Sequence, residues 1–335
     1  MRAYRMTNWG EPPQPTTVPV PSPGPGEVLV RVAGCGLCRS DLTMRRMPQV
    51  VGDKLGWRMP FTLGHETAGR VAAVGAGVDG LTLGEAVALV SPTSCGSCGH
   101  CLRGRDSMCP HGLTGRGYGR DGGLADYVLV PGRRDLLPLG DLDPRSAGPL
   151  TDAGATAYHA VRRALPRITA SGRVVVIGAG GLGAFAVQFL RVLSGAQIFV
   201  VDPAPARRDY AVSVGASSAS PDLSGVSGAD VVLDFVGTDE TIAAGIAAVT
   251  PGGAYGLIGS AGGRLAAPWF GTLPRDGEVF TFQGSSIADA QDVIALARAG
   301  TIRNEVTEFP FEAADDAYAQ LAAGTLPGRA VIVLD

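Results

Sequence analysis

The six residues Gly178-Ala179-Gly180-Gly181-Leu182-Gly183 constrain the fold of this chain more than any other segment. They fit the pattern G-x-G-x-x-G. With 49 glycines among 335 residues, chance matches are expected, so the setting has to decide. The turn follows an apolar strand, Arg173-Val174-Val175-Val176-Ile177, and opens a helical run from Leu182 to Leu193. In that strand–turn–helix context the motif binds a dinucleotide. The first Gly allows the tight turn, the second lets the backbone approach pyrophosphate, and the third permits close helix packing. The helix start offers unpaired N–H groups and partial positive charge to the phosphates.

The next strand, Gln197 to Asp202, ends on a carboxylate at the place where the adenosine ribose diol is bound. A negative charge there repels a 2′-phosphate, so NAD is favoured over NADP. Arg207 and Arg208 lie close by and pull the other way, which keeps the choice open. Two more apolar strands follow, Asp230–Asp234 and Ala254–Ile258, alternating with helical runs. This pattern predicts a doubly wound parallel sheet.

The first part of the chain has a different texture. Short alternating runs such as Glu27–Val32, Gly69–Val74 and Tyr127–Val130 are separated by Gly and Pro. They predict an all-β, partly closed barrel. The change comes near residue 150, and the length suits two domains. After about residue 285 the pattern reads as helix, Phe309-Pro310-Phe311, helix, and a final strand from Ala330 to Leu334.

All six cysteines fall in the first third, at 35, 38, 95, 98, 101 and 109. An even count is compatible with disulfides in an exported protein. The N-terminus, however, has no apolar core of signal-peptide length, and a chain of this size needs no covalent staples. Cys95, Cys98, Cys101 and Cys109 are spaced so that four thiolates close a tetrahedral zinc site, leaving no open position; such a site is structural. An iron–sulfur motif begins in the same way, but its last gap is three residues, whereas here seven residues separate Cys101 from Cys109.

A net charge of −3 gives no basic face for nucleic acid. The most apolar stretch, Val174 to Leu190, is broken by four glycines and reads as a buried strand feeding a helix, not a membrane span. The expectation is a cytoplasmic protein with neither a nucleic-acid nor a membrane partner.

Two islands of chemical residues remain: Gly34-Cys35-Gly36-Leu37-Cys38-Arg39-Ser40-Asp41 and Gly64-His65-Glu66. Each alone is weak, since a lone Cys or His is more often a core residue. Together with the cysteine lobe and the glycine turn, in this order, they resemble the zinc-dependent medium-chain alcohol dehydrogenases. Within that superfamily the chain is most similar to a bacterial group acting on secondary alcohols. The resemblance runs from Gly24-Pro25-Gly26-Glu27 to Gly328-Arg329. It implies a GroES-like catalytic domain over 1–152, completed by 286–335, and a Rossmann NAD-binding domain over 153–285. The final strand would return to the first domain, and the active site would lie in the cleft between the two.

Residue by residue, the resemblance implies Cys38, His65 and Asp152 as ligands of a catalytic zinc, making two zinc ions per subunit. Many relatives have Cys where this chain has Asp152, yet thiolate, neutral imidazole and carboxylate still sum to −2 against Zn²⁺. Asp152 is also well placed to be an ordinary helix N-cap. Asp41 resembles the carboxylate that orients the ligand histidine, Glu66 the acidic residue beside the metal, and Ser40 the hydroxyl that takes the substrate proton. Arg39 and Arg329 match positions that contact the coenzyme pyrophosphate. Trp57 matches an aromatic lining the substrate site, with a plain core Trp as the alternative. Some relatives complete the proton relay with a histidine where this chain has Thr43.

The implied activity is interconversion of a small alcohol, a secondary one by resemblance, with its ketone or aldehyde. Zinc would lower the alcohol's pKa and the nicotinamide would accept hydride. Two other readings stand beside it: a polyol or sugar-derivative dehydrogenase of the same superfamily, and a catalytically silent NAD-binding protein. The resemblance also implies a homodimer or homotetramer, with strands near Val279 to Gly284 pairing across subunits.

Overall fold

The computed structural model describes residues 1–334 except 92, 113 and 327. The chain divides into two compact units. One comprises residues 1–155, 284–300 and 304–335, the other residues 156–283 and 301–303.

The first unit is built on a seven-stranded sheet. Its order is Leu136–Pro138, Ala86–Leu89, Glu66–Val74, Val28–Gly36, Arg329–Val333, Val306–Pro310, with Tyr127–Val130 also paired to Val28–Gly36. A three-stranded sheet of Gln14–Thr17, Arg2–Met6 and Phe61–Thr62 accompanies it. Their alternating apolar residues, among them Val28, Val30, Val32, Leu63, Val71, Leu89, Val128 and Ile332, form one buried cluster. The C-terminal strand runs antiparallel to the first long strand, with Val331 opposite Gly36 and Val333 opposite Gly34. The last strand is thereby built into the same sheet as Val28–Gly36.

Val306–Pro310 is a strand, although the sequence there reads as a break between helices. It lies at the sheet edge, where Pro310 takes the last position and its missing N–H costs no ladder bond.

The second unit is a six-stranded, wholly parallel sheet. Its order is Ser218–Ser220, Gln197–Val201, Arg173–Ile177, Ala229–Asp234, Val249–Leu257, Glu278–Thr281. Numbered along the chain this is 3-2-1-4-5-6, the Rossmann order, with the topological switch beside Arg173–Ile177. The central strands read as unbroken Val and Ile runs because helices cover both faces. Ser218–Ser220 escapes a hydrophobic-pattern reading, being three small or polar residues on an edge. Among the described residues no helix is long and apolar enough to cross a membrane.

Candidate active site

The pocket is assembled by three segments of the first unit. Cys38 ends the long strand's path and stands at the N-cap of the helix Arg39–Met44. Asp41, at the third position of that helix, accepts the Cys38 backbone N–H at 2.9 Å and the Tyr318 hydroxyl at 3.1 Å, both on Oδ2. Its other oxygen lies 3.3 Å from His65 Nδ1, without reaching hydrogen-bond geometry. One fully buried carboxylate thus fixes the helix that carries Ser40 and faces the far side of the histidine ring.

His65 and Glu66 enter at the start of the strand Glu66–Val74, and both are buried. Asp152 sits between the short turn Gly148–Thr151 and the helix Ala153–Ala164, with Oδ2 3.5 Å from His65 Nε2. Ligating atoms of Cys38, His65, Glu66 and Asp152 all lie within 4.8 Å of one another. Burial alone would lower the pKa of His65, but Tyr118, Asp41 and Asp152 carry it well above the ordinary value. Nε2 faces Asp152, Ser40 and Tyr118, the side on which a divalent metal would be held. Asp152 is raised by burial and then held below the usual carboxylate range by His65 and Arg329. It faces the pocket as an anion.

Glu66 differs from the other three. Burial pushes its carboxyl up to about 7 against the pull of Arg329, whose Nη2 is bonded to Oε1. The same guanidinium nitrogen donates to the Leu37 carbonyl at 2.8 Å. Arg329 neutralises Glu66, so the charge left for a metal is that of Cys38 and Asp152.

The second cluster is the cysteine lobe. Sulfur–sulfur separations are 3.5 Å for Cys98–Cys101, 3.9 Å for Cys95–Cys101 and 4.0 Å for Cys98–Cys109. All six cysteines are free thiols. A tetrahedron with Zn–S bonds of about 2.3 Å has edges of roughly 3.8 Å, which these values bracket. Backbone N–H groups of Ser97 and Cys98 aim at Cys95 and lower its thiol to about 5, as a ligand thiolate requires. The lobe is tied to the rest of its unit by buried Asp106. This carboxylate accepts from Ser94 Oγ at 3.0 Å, from Arg134, and from the Ile287 N–H at 3.2 Å.

In the second unit the glycine turn has the shape its sequence predicts. Gly178 has φ of +85°, and a Cβ at Gly183 would run into the Gly178 carbonyl. A Cβ at Gly180 would meet only Arg207 Nη1, at 4.0 Å, so open space lies over the backbone where a pyrophosphate would approach. The helix Gly181–Leu193 starts there. Asp202 is buried and accepts the Ala179 N–H on Oδ2 and the Ala204 N–H on Oδ1, each at 2.9 Å. Arg207 Nη1 stands 3.9 Å from Oδ2, whereas Arg208 turns to the carbonyls of Asp202 and Pro203.

Residues 24–141 match the family described as alcohol dehydrogenase GroES-like domain, and residues 181–299 match zinc-binding dehydrogenase. An NAD-dependent alcohol dehydrogenase of Sulfurisphaera tokodaii is 34% identical, covering 99% of this chain and 100% of its own. The chain belongs to the zinc-binding alcohol dehydrogenase family. A D-arabinose 1-dehydrogenase (NADP(+)) of Saccharolobus solfataricus is 32% identical, with 99% and 97% covered. The crystal structure of the alcohol dehydrogenase of Aeropyrum pernix superimposes with a TM-score of 0.91 at 29% identity, covering 100% of both chains.

Within this alcohol dehydrogenase fold, Ser40 Oγ lies 3.4 Å from His65 Nε2. Thr43, at the position where some relatives carry a relay histidine, is exposed on the helix, as is Arg39. Trp57 is buried and meets Phe61 edge-on at 5.9 Å. A residue without any signal in the sequence completes the pocket. The Tyr118 hydroxyl is 3.1 Å from Ser40 Oγ and 3.1 Å from His65 Nε2. Its ring lies 4.5 Å from His65 and 6.0 Å from Trp57. Tyr118 stands in a glycine-rich loop, 53 residues from His65, so no spacing rule points to it.

Proposed function

We propose that this protein interconverts a small alcohol, by preference a secondary one, and its carbonyl compound, with NAD as hydride acceptor or donor. What carries this reading is the convergence of Cys38, His65 and Asp152 with Ser40 in one pocket. The donor set of thiolate, imidazole and carboxylate balances Zn²⁺ while Arg329 offsets the charge of Glu66, and three protein ligands would leave a position for substrate. When bound, zinc supplies Lewis acidity towards the substrate oxygen, and NAD supplies the two-electron acceptor.

The chain's own groups do the rest. Asp41 orients the His65 ring. Ser40 Oγ accepts the hydroxyl proton of the substrate and passes it outward, and Trp57 and Tyr118 wall the pocket. Arg329, with a buried Nε that lacks a partner, has a donor left for a coenzyme phosphate, and exposed Arg39 is a second candidate. Gly178, Gly180, Gly181, Leu182 and Gly183 cradle the pyrophosphate. Asp202, while bracing the turn, takes the ribose hydroxyls and disfavours a 2′-phosphate, against the nearby charge of Arg207. Cys95, Cys98, Cys101 and Cys109 hold a structural zinc. Residues 1–152 with 286–335 serve as catalytic domain and 153–285 as coenzyme domain, in a cytoplasmic homodimer or homotetramer.

A panel of 2-alkanols, primary alcohols and polyols with NAD and with NADP, followed by absorbance of the reduced nicotinamide, tests this. Turnover of secondary alcohols with NAD is expected. Turnover confined to sugars and long polyols would replace the substrate assignment, and NAD binding without any turnover would leave a silent coenzyme-binding protein.

A further inference from the structure

The Tyr118 hydroxyl is a polar group of the pocket whose partners would change when the pocket is loaded. It stands 3.1 Å from two atoms, Ser40 Oγ and His65 Nε2. A metal held by His65 takes the Nε2 lone pair, so that nitrogen can no longer accept a hydrogen bond. Ser40 then remains as partner, and a phenolic hydroxyl, which both donates and accepts, keeps one capacity unfilled. Leaving such a group unpaired beside an apolar substrate is costly. The ring cannot swing away cheaply, since it is packed between His65 and Trp57.

The separation of the Ser40 and Tyr118 oxygens supplies the second part. Two oxygens on adjacent carbons in a gauche arrangement are about one hydrogen-bond length apart, and the Ser40 and Tyr118 oxygens are 3.1 Å apart. A substrate with oxygen on two neighbouring carbons therefore offers one to each residue. A simple alkanol offers one oxygen to two hydroxyls.

We propose that Tyr118 selects substrates bearing a second hydroxyl on the carbon next to the reacting one: vicinal diols in oxidation and α-hydroxy ketones in reduction. This rests on the dehydrogenase reading given above. The chemistry stays balanced as in any alcohol oxidation. The reacting carbon gives hydride to NAD, its oxygen gives a proton through Ser40 to solvent, and the second hydroxyl leaves unchanged. Tyr118 gains and loses no proton; it is a specificity-determining residue.

The test pairs 2,3-butanediol with 2-butanol, which share a carbon skeleton, in the zinc-loaded enzyme and in Tyr118→Phe. The parent should favour the diol in kcat/KM by roughly tenfold or more. Tyr118→Phe keeps the ring packing, so zinc content and thermal midpoint should not move. Its kcat/KM for the diol should fall further than its kcat/KM for 2-butanol, by roughly tenfold to hundredfold and chiefly through KM, so that the preference of the parent is lost. Calorimetric titration of the enzyme–NADH complex with the diol should show the same weakening without turnover. Equal use of diol and alkanol by the parent, or a variant that scales both alike, overturns the assignment of Tyr118 and leaves the dehydrogenase standing. Absence of turnover with every alcohol overturns the dehydrogenase reading itself, and this inference with it.

Discussion

The two candidate metal centres are built in opposite ways. The cysteine lobe takes its four ligands from residues 95 to 109, a single local loop, whereas the pocket gathers Cys38, His65 and Asp152 from a helix cap, a strand start and a turn. Four sulfurs would close the first on all sides. Mixed donors leave the second open, beside two hydroxyls and a buried carboxylate that face the histidine. A local, closed site can only organise the chain around it. A site assembled from distant elements presupposes the fold and can afford an open face for chemistry.

This difference should be visible in how substitutions fail, and the largest effect belongs to the lobe. Cys101→Ser removes a ligand from a site whose metal binding is folding energy. The expected cost is several kcal/mol, read as a thermal midpoint lowered by roughly ten degrees or more and loss of the lobe metal. A Cys101→Ser variant with the parent's midpoint would break the comparison.

At the pocket, Asp152→Asn should act on chemistry instead. Asn caps helices as well as Asp does, so a pure cap would leave the change silent. A ligand role predicts a kcat lower by on the order of a hundredfold, loss of the pocket zinc and an almost unchanged midpoint. Asp152→Cys should recover part of the metal, since thiolate has the same charge and suits zinc. Zinc content and kcat near the parent's in Asp152→Asn would remove Asp152 from the ligand set.

One shell further out, Asp41→Asn keeps size and capping but drops the charge facing His65. Tenfold to hundredfold weaker pocket zinc or activity is expected, by roughly the usual scale for groups behind a ligand histidine. The lobe metal serves as an internal control, and its loss in this variant would show that the two centres are not independent.

The smallest effect lies away from both metals. Asp202→Ser should lower the NAD-to-NADP ratio of kcat/KM by on the order of tenfold, since one like charge no longer faces the 2′-phosphate. Part of the change will appear as lower stability, because Asp202 also accepts the Ala179 and Ala204 N–H groups. An unmodified protein that already uses both coenzymes equally would mean that Arg207 outweighs the carboxylate.

What the sequence makes legible follows the same division. The lobe and the glycine turn are spacing motifs within a few residues, so their geometry is written locally. The central parallel strands are equally plain, because burial on both faces requires uninterrupted apolar runs. Cys38, His65 and Asp152 carry no mutual spacing and stood out only through likeness to a family. Tyr118 carried neither spacing nor likeness, since only the tertiary fold brings its hydroxyl to Ser40 and His65. The edge strands Ser218–Ser220 and Val306–Pro310 were hidden for another reason, as edges need neither apolar alternation nor freedom from proline.

The most direct measurement of the two-centre account is zinc content before and after mild chelation, with activity and thermal midpoint followed on the same samples. About two zinc ions per chain are expected at the start. The open pocket should release its ion first, leaving about one zinc, abolished alcohol oxidation and a nearly preserved midpoint, and added zinc should restore activity. A visible iron–sulfur band, a single zinc in the untreated protein, or full activity after the first ion has gone would contradict it.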